Sequence, residues 1–199
     1  MIRAARWLIR MEIGIWRSLF FWVTRRVPGA DSGVRAFSYS RQITPIIGAF
    51  IFVSLIELPV VHLLIPWDVV RLVVVILSVW GLLWMVGLLA SMKVFPHLLG
   101  ERELRVRYGH GLDVPVPWDA VASVGAARGS VASGKSAVVE DGVLSVPVMK
   151  QTRVEVRLRE PTALPLPDGI EEVTAVRLYA DDPRGFVAAA RELVPVATR

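Results

Sequence analysis

The sequence predicts an α+β protein: a two-helix transmembrane hairpin, preceded by an amphipathic interfacial helix and followed by a small antiparallel β-sandwich or roll capped by a C-terminal helix. Three observations predict it. Between residues 43 and 92 the only ionisable side chains are Glu57, His62, Asp68 and Arg71, and they leave two apolar runs of about 20 residues. Beyond Lys93 the apolar spacing changes from helical to alternating. The last segment, "ADDPRGFVAAARELVP", has the punctuation of a single amphipathic helix.

Residues 1–42 form the first unit and hold eight Arg against Glu12 and Asp31. At about 100° per residue, Arg3, Arg6, Arg10 and Arg17 fall in a stripe roughly 60° wide, with Trp7, Leu8, Met11, Ile15, Trp16 and Leu19 over much of the remainder. That pattern suits a helix lying on the inner leaflet, its cations toward anionic headgroups. A helix packed on the spanning pair or on a partner protein would show the same stripe. Arg25 and Arg26, with Arg35 and Arg41 in the connector, add attraction for anionic lipid of about 1 kcal/mol each near the surface. The Arg residues that interrupt the apolar letters, with no small-residue cleavage site after them, argue against a secretory signal.

Residues 43–92 form the hairpin, with spans 43–65 and 69–92 joined by the tight link "IPWD". Eight Arg precede the first span, Lys93 and Arg102 follow the second, and the link has none. The positive-inside rule therefore places both termini in the cytoplasm and the chain in the plasma membrane as a multi-pass protein. Glu57 lies nine residues before Pro66, roughly 13 Å below the outer turn at 1.5 Å per residue. An ionisable group near mid-membrane is a functional candidate by default, and His62 shares its span. The alternative is a protonated Glu57 bonded inside the hairpin, to Ser78, Trp80 or a carbonyl freed by Pro59.

Residues 93–199 form the cytoplasmic domain, with fourteen basic and fourteen acidic side chains. In "ELRVRYG" Leu104, Val106 and Tyr108 point one way and Arg105 and Arg107 the other. Further short strands are expected at Val114–Val116, Val121–Val124, Val138–Val139, Val143–Val148, Val154–Leu158 and Val173–Tyr179. In the closing helix, 183–194, Asp182 is the N-cap and Pro183 the first residue; Phe186, Val187, Ala190, Leu193 and Val194 make the apolar face.

"GSVASGKS", Gly129 to Ser136, matches the phosphate-loop pattern letter for letter. A phosphate loop needs a helix straight after it, because the helix N-terminus supplies the converging N–H groups. Here Asp141-Gly142 signals a hairpin instead, since both central positions of the favoured turn take positive φ. The segment is therefore expected to be an inter-strand loop, in which Arg128, Gly129, Gly134, Lys135 and Ser136 could touch a headgroup phosphate or an acidic partner.

The order "ELRVRYG", "VPVPWDAVASV", "EVRLREPTAL" and "LYADDPRGFVAAARELV" resembles bacterial pleckstrin-homology-like (PH-like) domains attached to one or two spanning helices. The resemblance covers residues 98–194 and implies two stacked or rolled antiparallel sheets, closed by the terminal helix with Phe186 and Leu193 in the core. Arg outnumbering Lys twenty to three is similar to actinobacterial membrane proteins of high GC content. Eukaryotic relatives that bind phosphoinositides use basic residues in the loop after the first strand; "GHGLDV" here has no Lys or Arg.

With no cysteine and three scattered histidines, no metal site, cofactor site or catalytic constellation is expected. The whole positive excess lies in the N-terminal unit, so nucleic acid is not an expected partner. The expectation is a non-enzymatic adaptor, scaffold or accessory subunit, in contact with anionic inner-leaflet lipid and with a protein partner or a second copy. The alternatives are a subunit of a transport or proton-coupled complex using Glu57 and, remotely, a nucleotide-binding protein.

Overall fold

The computed structural model describes residues 2–30, 33–167 and 169–195, with side chains of the first helix described from Ile9 onward. The N-terminal half contains α1 (Ile2–Val23), β1 (Arg35–Phe37), α2 (Thr44–Leu64) and α3 (Asp68–Val94). Both α2 and α3 are long and apolar enough to cross a membrane. No residue of α2 is buried, and α3 buries only Gly87, Ala90, Ser91, Met92 and Val94 in its last two turns. Apolar side chains such as Phe50, Phe52, Leu55, Leu72 and Leu77 stand exposed. So much contiguous apolar surface needs a covering medium or partner.

The β domain follows: β2 (His97–Leu99), β3 (Glu103–Tyr108), β4 (Leu112–Pro117), β5 (Val121–Ser130), β6 (Val138–Glu140), β7 (Val143–Val146), β8 (Gln151–Leu166), β9 (Gly169–Leu178) and α4 (Pro183–Leu193). One sheet has the order β1-β2-β3-β4 and the other β5-β8-β9-β7-β6. The two share one core, with Leu104, Val106, Val114 and Val116 from the first and Val124, Val154, Val156, Val176 and Leu178 from the second. Helix α4 closes it. Asp182 caps the helix by accepting the Gly185 N–H at 3.0 Å, Pro183 opens it, and Phe186 is fully buried with its ring 5.2 Å from Phe37.

The structure departs from the alternation pattern in three places. First, β7 runs parallel to β9, in register Val143↔Ala175 to Val146↔Leu178, so the second sheet is mixed. Second, β8 is sixteen residues long, not a short strand; a register shift between Arg157 and Thr162 bends it so that it pairs β5 with one part and β9 with both. Third, the connector before α2 supplies β1, which pairs with β2 ahead of "ELRVRYG". Asp141 and Gly142 do take positive φ, 51° and 72°, and join β6 to β7 as a tight hairpin.

Arg107 keeps the face that alternation gives it, but that face is covered. Alternation faces it away from the core, yet it is only 3% exposed. The connector after α1 crosses that face of β3: the Arg107 Nη1 donates to the Pro28 carbonyl at 2.8 Å, and its Nε lies 3.2 Å from Asp113 Oδ2. The Nε–Asp113 contact is an ion pair by distance; its angle is too bent for a hydrogen bond.

Candidate functional site

Helices α1 and α3 and the β domain meet in one junction. On the helix side, Ile15 and Ser18 of α1 are fully buried, and Glu12 Oε2 accepts the Trp84 indole N–H at 3.1 Å. Gly87 is what lets the helices close: a Cβ there would collide with Ile15. The alternative of an α1 packed on the helical hairpin is thus realised. Its outer surface still carries exposed Ile9, Ile13, Trp16 and Phe20 beside Arg10 and Arg17, with the Arg17 guanidinium 5.8 Å from the Phe21 ring. The Arg3 and Arg6 side chains lie outside the described residues.

On the domain side, the β3–β4 turn plugs into the helices. Ser91 Oγ of α3 accepts the His110 N–H at 2.9 Å and lies 3.1 Å from His110 Nδ1, while the imidazole sits where a Cβ of Gly14 would be. Tyr39 Oη accepts the Gly109 N–H at 2.6 Å, and its ring lies 5.7 Å from Tyr108 and 4.9 Å from His97. His97 is buried and fully used: Nδ1 accepts the Arg107 N–H at 3.1 Å, and Nε2 donates to the Tyr179 carbonyl at 2.9 Å. That pair of partners fixes the neutral Nε2–H tautomer. Burial pulls its pKa down to about 4, more than the Tyr179 carbonyl restores. Burial likewise pushes the Tyr39 phenol up and His110 down. Asp181 ties the segment before α2 to the domain by accepting the Arg41 N–H at 3.1 and 3.2 Å.

Two cationic grooves flank this junction. The first, of about 520 Å³, is lined by Phe21, Trp22, Val23 and Val27 with Arg25, Arg26, Lys93 and Val94. It is shaped by the end of α1, where Arg26 N–H reaches the Phe21 carbonyl at 2.9 Å and Arg25 N–H the Trp22 carbonyl at 3.2 Å. That is a Schellman cap, with Arg25 at φ 54° in the position usually given to glycine. In the sequence Lys93 serves only to orient the spans, as the first charge after the second apolar run; the groove adds it to the arginines at the end of α1.

The second groove, of about 850 Å³, brings Arg128, Gly129 and Ser130 of β5 beside Gln151, Thr152 and Arg153 of β8 and Pro183 and Arg184 of α4. Strand pairing makes it, with Gly129 opposite Thr152 and Ser130 opposite Gln151. Among the described residues none of the three arginines takes part in an ion pair. Arg153 instead lies 4.9 Å from the Tyr179 ring centroid.

The phosphate-loop letters are thereby split. Gly129 and Ser130 end β5, whereas Gly134, Lys135 and Ser136 lie in the loop to β6, outside both grooves. Strand β6 begins two residues after Ser136, at Val138, so the N–H cradle of a helix N-terminus is not formed.

Glu57 and His62 are exposed on α2, five residues and so about 140° apart around the helix. Among the described residues neither makes a hydrogen bond or an ion pair, and the bond expected from Glu57 to Ser78, Trp80 or a freed carbonyl is not made. No protein-family model, no curated protein and no solved structure matches the chain.

Proposed function

We propose that the chain is a non-enzymatic, bilayer-anchored adaptor that holds a PH-like binding module at the cytoplasmic face of the plasma membrane. The junction carries this reading. Side chains and backbone of α3 and the segment before α2 are hydrogen-bonded into the β domain through Ser91, Tyr39 and Asp181, and α1 packs against His110 at Gly14, so the module stands at a fixed attitude to the helices. In this reading α2 and α3 span, both termini are cytoplasmic, and Arg10, Arg17, Arg25, Arg26 and Lys93 contact anionic headgroups. The PH-like assignment is supported by two sheets around one core with α4 closing it; the parallel β7–β9 pair is its departure.

The three-arginine groove is the module's recognition face, and its unpaired cations suit an acidic segment of a partner protein. Affinity purification of the full chain from native membranes tests this. A specific partner is expected with wild type and is lost at least tenfold with Arg128→Glu, Arg153→Glu and Arg184→Glu combined, while the variant stays in the membrane fraction. A chain recovered alone, or a partner indifferent to the triple substitution, overturns it.

Glu57 favours a second reading, membership of an oligomeric transport or proton-coupled complex. Because the carboxyl faces outward with no internal partner, any polar contact it makes belongs to another chain.

A further inference from the structure

The β7–β8 connection is a two-residue hairpin turn in which Val148 and Gln151 exchange N–H···O bonds of 3.0 and 2.9 Å. Its two central residues, Met149 and Lys150, have φ of 50° and 63°. Asn-Gly or Asp-Gly is the favoured pair for that conformation, and the chain uses Asp141-Gly142 at the hairpin immediately before. Placing two bulky side chains there carries backbone strain, a cost that persists where the side chains themselves serve a purpose. Met149 serves none inside the fold: it is 51% exposed, although Val148 beside it is buried.

The location supplies the purpose. Val148 belongs to one apolar cluster with Tyr39, Met92 and Tyr179, on which Ile43 and Ile47 pack. Met92 is in the last turn of α3 and Ile47 in the first turn of α2. The tip therefore begins one residue, under 4 Å of chain, from the place where both apolar helices leave the domain. The tip carries the cation Lys150, and at Tyr179, in the same cluster as Val148, two arginines, Arg153 and Arg41, stand with one carboxylate, Asp181.

We propose that Met149 and Lys150 form a lipid-touching tip, with the Met149 thioether seated among acyl chains at the headgroup boundary and the Lys150 ammonium on lipid phosphates. The proposal rests on α2 and α3 spanning the bilayer. A flexible, polarisable thioether fits a disordered acyl surface, and a Lys stem lies along apolar groups while its ammonium stays at the phosphates. Net positive charge at the tip matches an anionic leaflet.

The chain contains no cysteine, so single-cysteine variants of the full protein can be labelled with bimane without background. The probe is a phosphatidylcholine–phosphatidylglycerol vesicle containing lipids brominated either near the headgroup or deep in the acyl chain. Met149→Cys is expected to be quenched by the shallow bromines at least threefold more than Lys135→Cys on the β5–β6 loop. Leu77→Cys in α3 reports the span through the deep bromines. Quenching at Leu77→Cys without quenching at Met149→Cys overturns the tip and leaves the anchor standing; no quenching at Leu77→Cys overturns both. A second arm relaxes the turn with Met149→Asn and Lys150→Gly. The fold is expected to be retained, while shallow quenching read at Gln151→Cys falls at least twofold; unchanged quenching there overturns the proposal.

Discussion

The junction and the outer face of α2 both hold ionisable or polar side chains among apolar ones, and they treat them in opposite ways. At the junction, His97, Tyr39 and Ser91 each find a partner within the chain. On α2, Glu57 and His62 stand exposed, and no residue of that helix is buried. The difference shows where internal stability resides. The β domain and its junction form an interior whose polar groups are satisfied within the chain, Arg107 Nε alone among the described side chains having an ion pair in place of a hydrogen bond, whereas the hairpin leaves both its apolar surface and its ionisable groups to whatever surrounds it.

The comparison is attacked most directly at His97. Replacing it in His97→Leu strands two buried backbone groups, the Arg107 N–H and the Tyr179 carbonyl, that it now satisfies. Each orphaned group costs about 1–3 kcal/mol, so a loss of about 4 kcal/mol is expected in unfolding of the β domain. Chemical denaturation followed by circular dichroism measures it. A loss below about 1 kcal/mol would mean that the junction is wetter than its burial implies.

The same imidazole predicts an acid dependence of nearly that size. Burial lowers its native pKa to about 4 from an unfolded value of 6.5. Between those pH values the unfolded chain binds the extra proton. The stability is therefore complete above about pH 6.5 and declines as pH falls, with about 3 kcal/mol lost by about pH 4. Glu155, held low by hydrogen bonds from Arg157 and Arg177, has the same sign, but its loss begins only below the ordinary carboxylate value of 4.5. A profile of stability against pH, run on wild type and on His97→Leu, separates them: the variant should lose most of the decline between pH 6.5 and 4.5 and keep only the part owed to His110, whose pKa burial also lowers.

What the sequence made legible follows from which interactions are local. The two apolar helices, the Asp141-Gly142 turn and the Asp182–Pro183 helix start are set by residues within one turn of each other, and each stands within two residues of its expected place. The parallel β7–β9 pair and the three-arginine groove depend on strands meeting across 20 or more residues, and Arg128 carries no local sign that Arg153 and Arg184 will join it. The cover over Arg107 is hidden in the sequence for the same reason. Period-two alternation assigns a face but is blind to whether another segment, here the Pro28 connector, will cover it. The two non-glycine residues at positive φ in the Met149-Lys150 turn had no signal, since neither favours that conformation.

The smallest effect is expected at Glu57, and its smallness is the informative part. The carboxyl is exposed and has no partner among the described residues, so Glu57→Gln, and even Glu57→Leu, should alter unfolding of the isolated chain by no more than about 0.5 kcal/mol. Measured against His97→Leu, that near-zero value would locate the folding energy in the junction and release Glu57 for contacts outside the chain. A destabilisation above about 1 kcal/mol in detergent, where no partner is present, would instead mean that Glu57 has an internal bond and that the outer face of α2 is not free. If the stability is unchanged but cross-linking between copies in native membranes falls for Glu57→Leu and survives for Glu57→Gln, the group is a hydrogen-bonding contact to a second subunit. Loss with Glu57→Gln as well would require its charge, and would favour the proton-coupled reading over the adaptor.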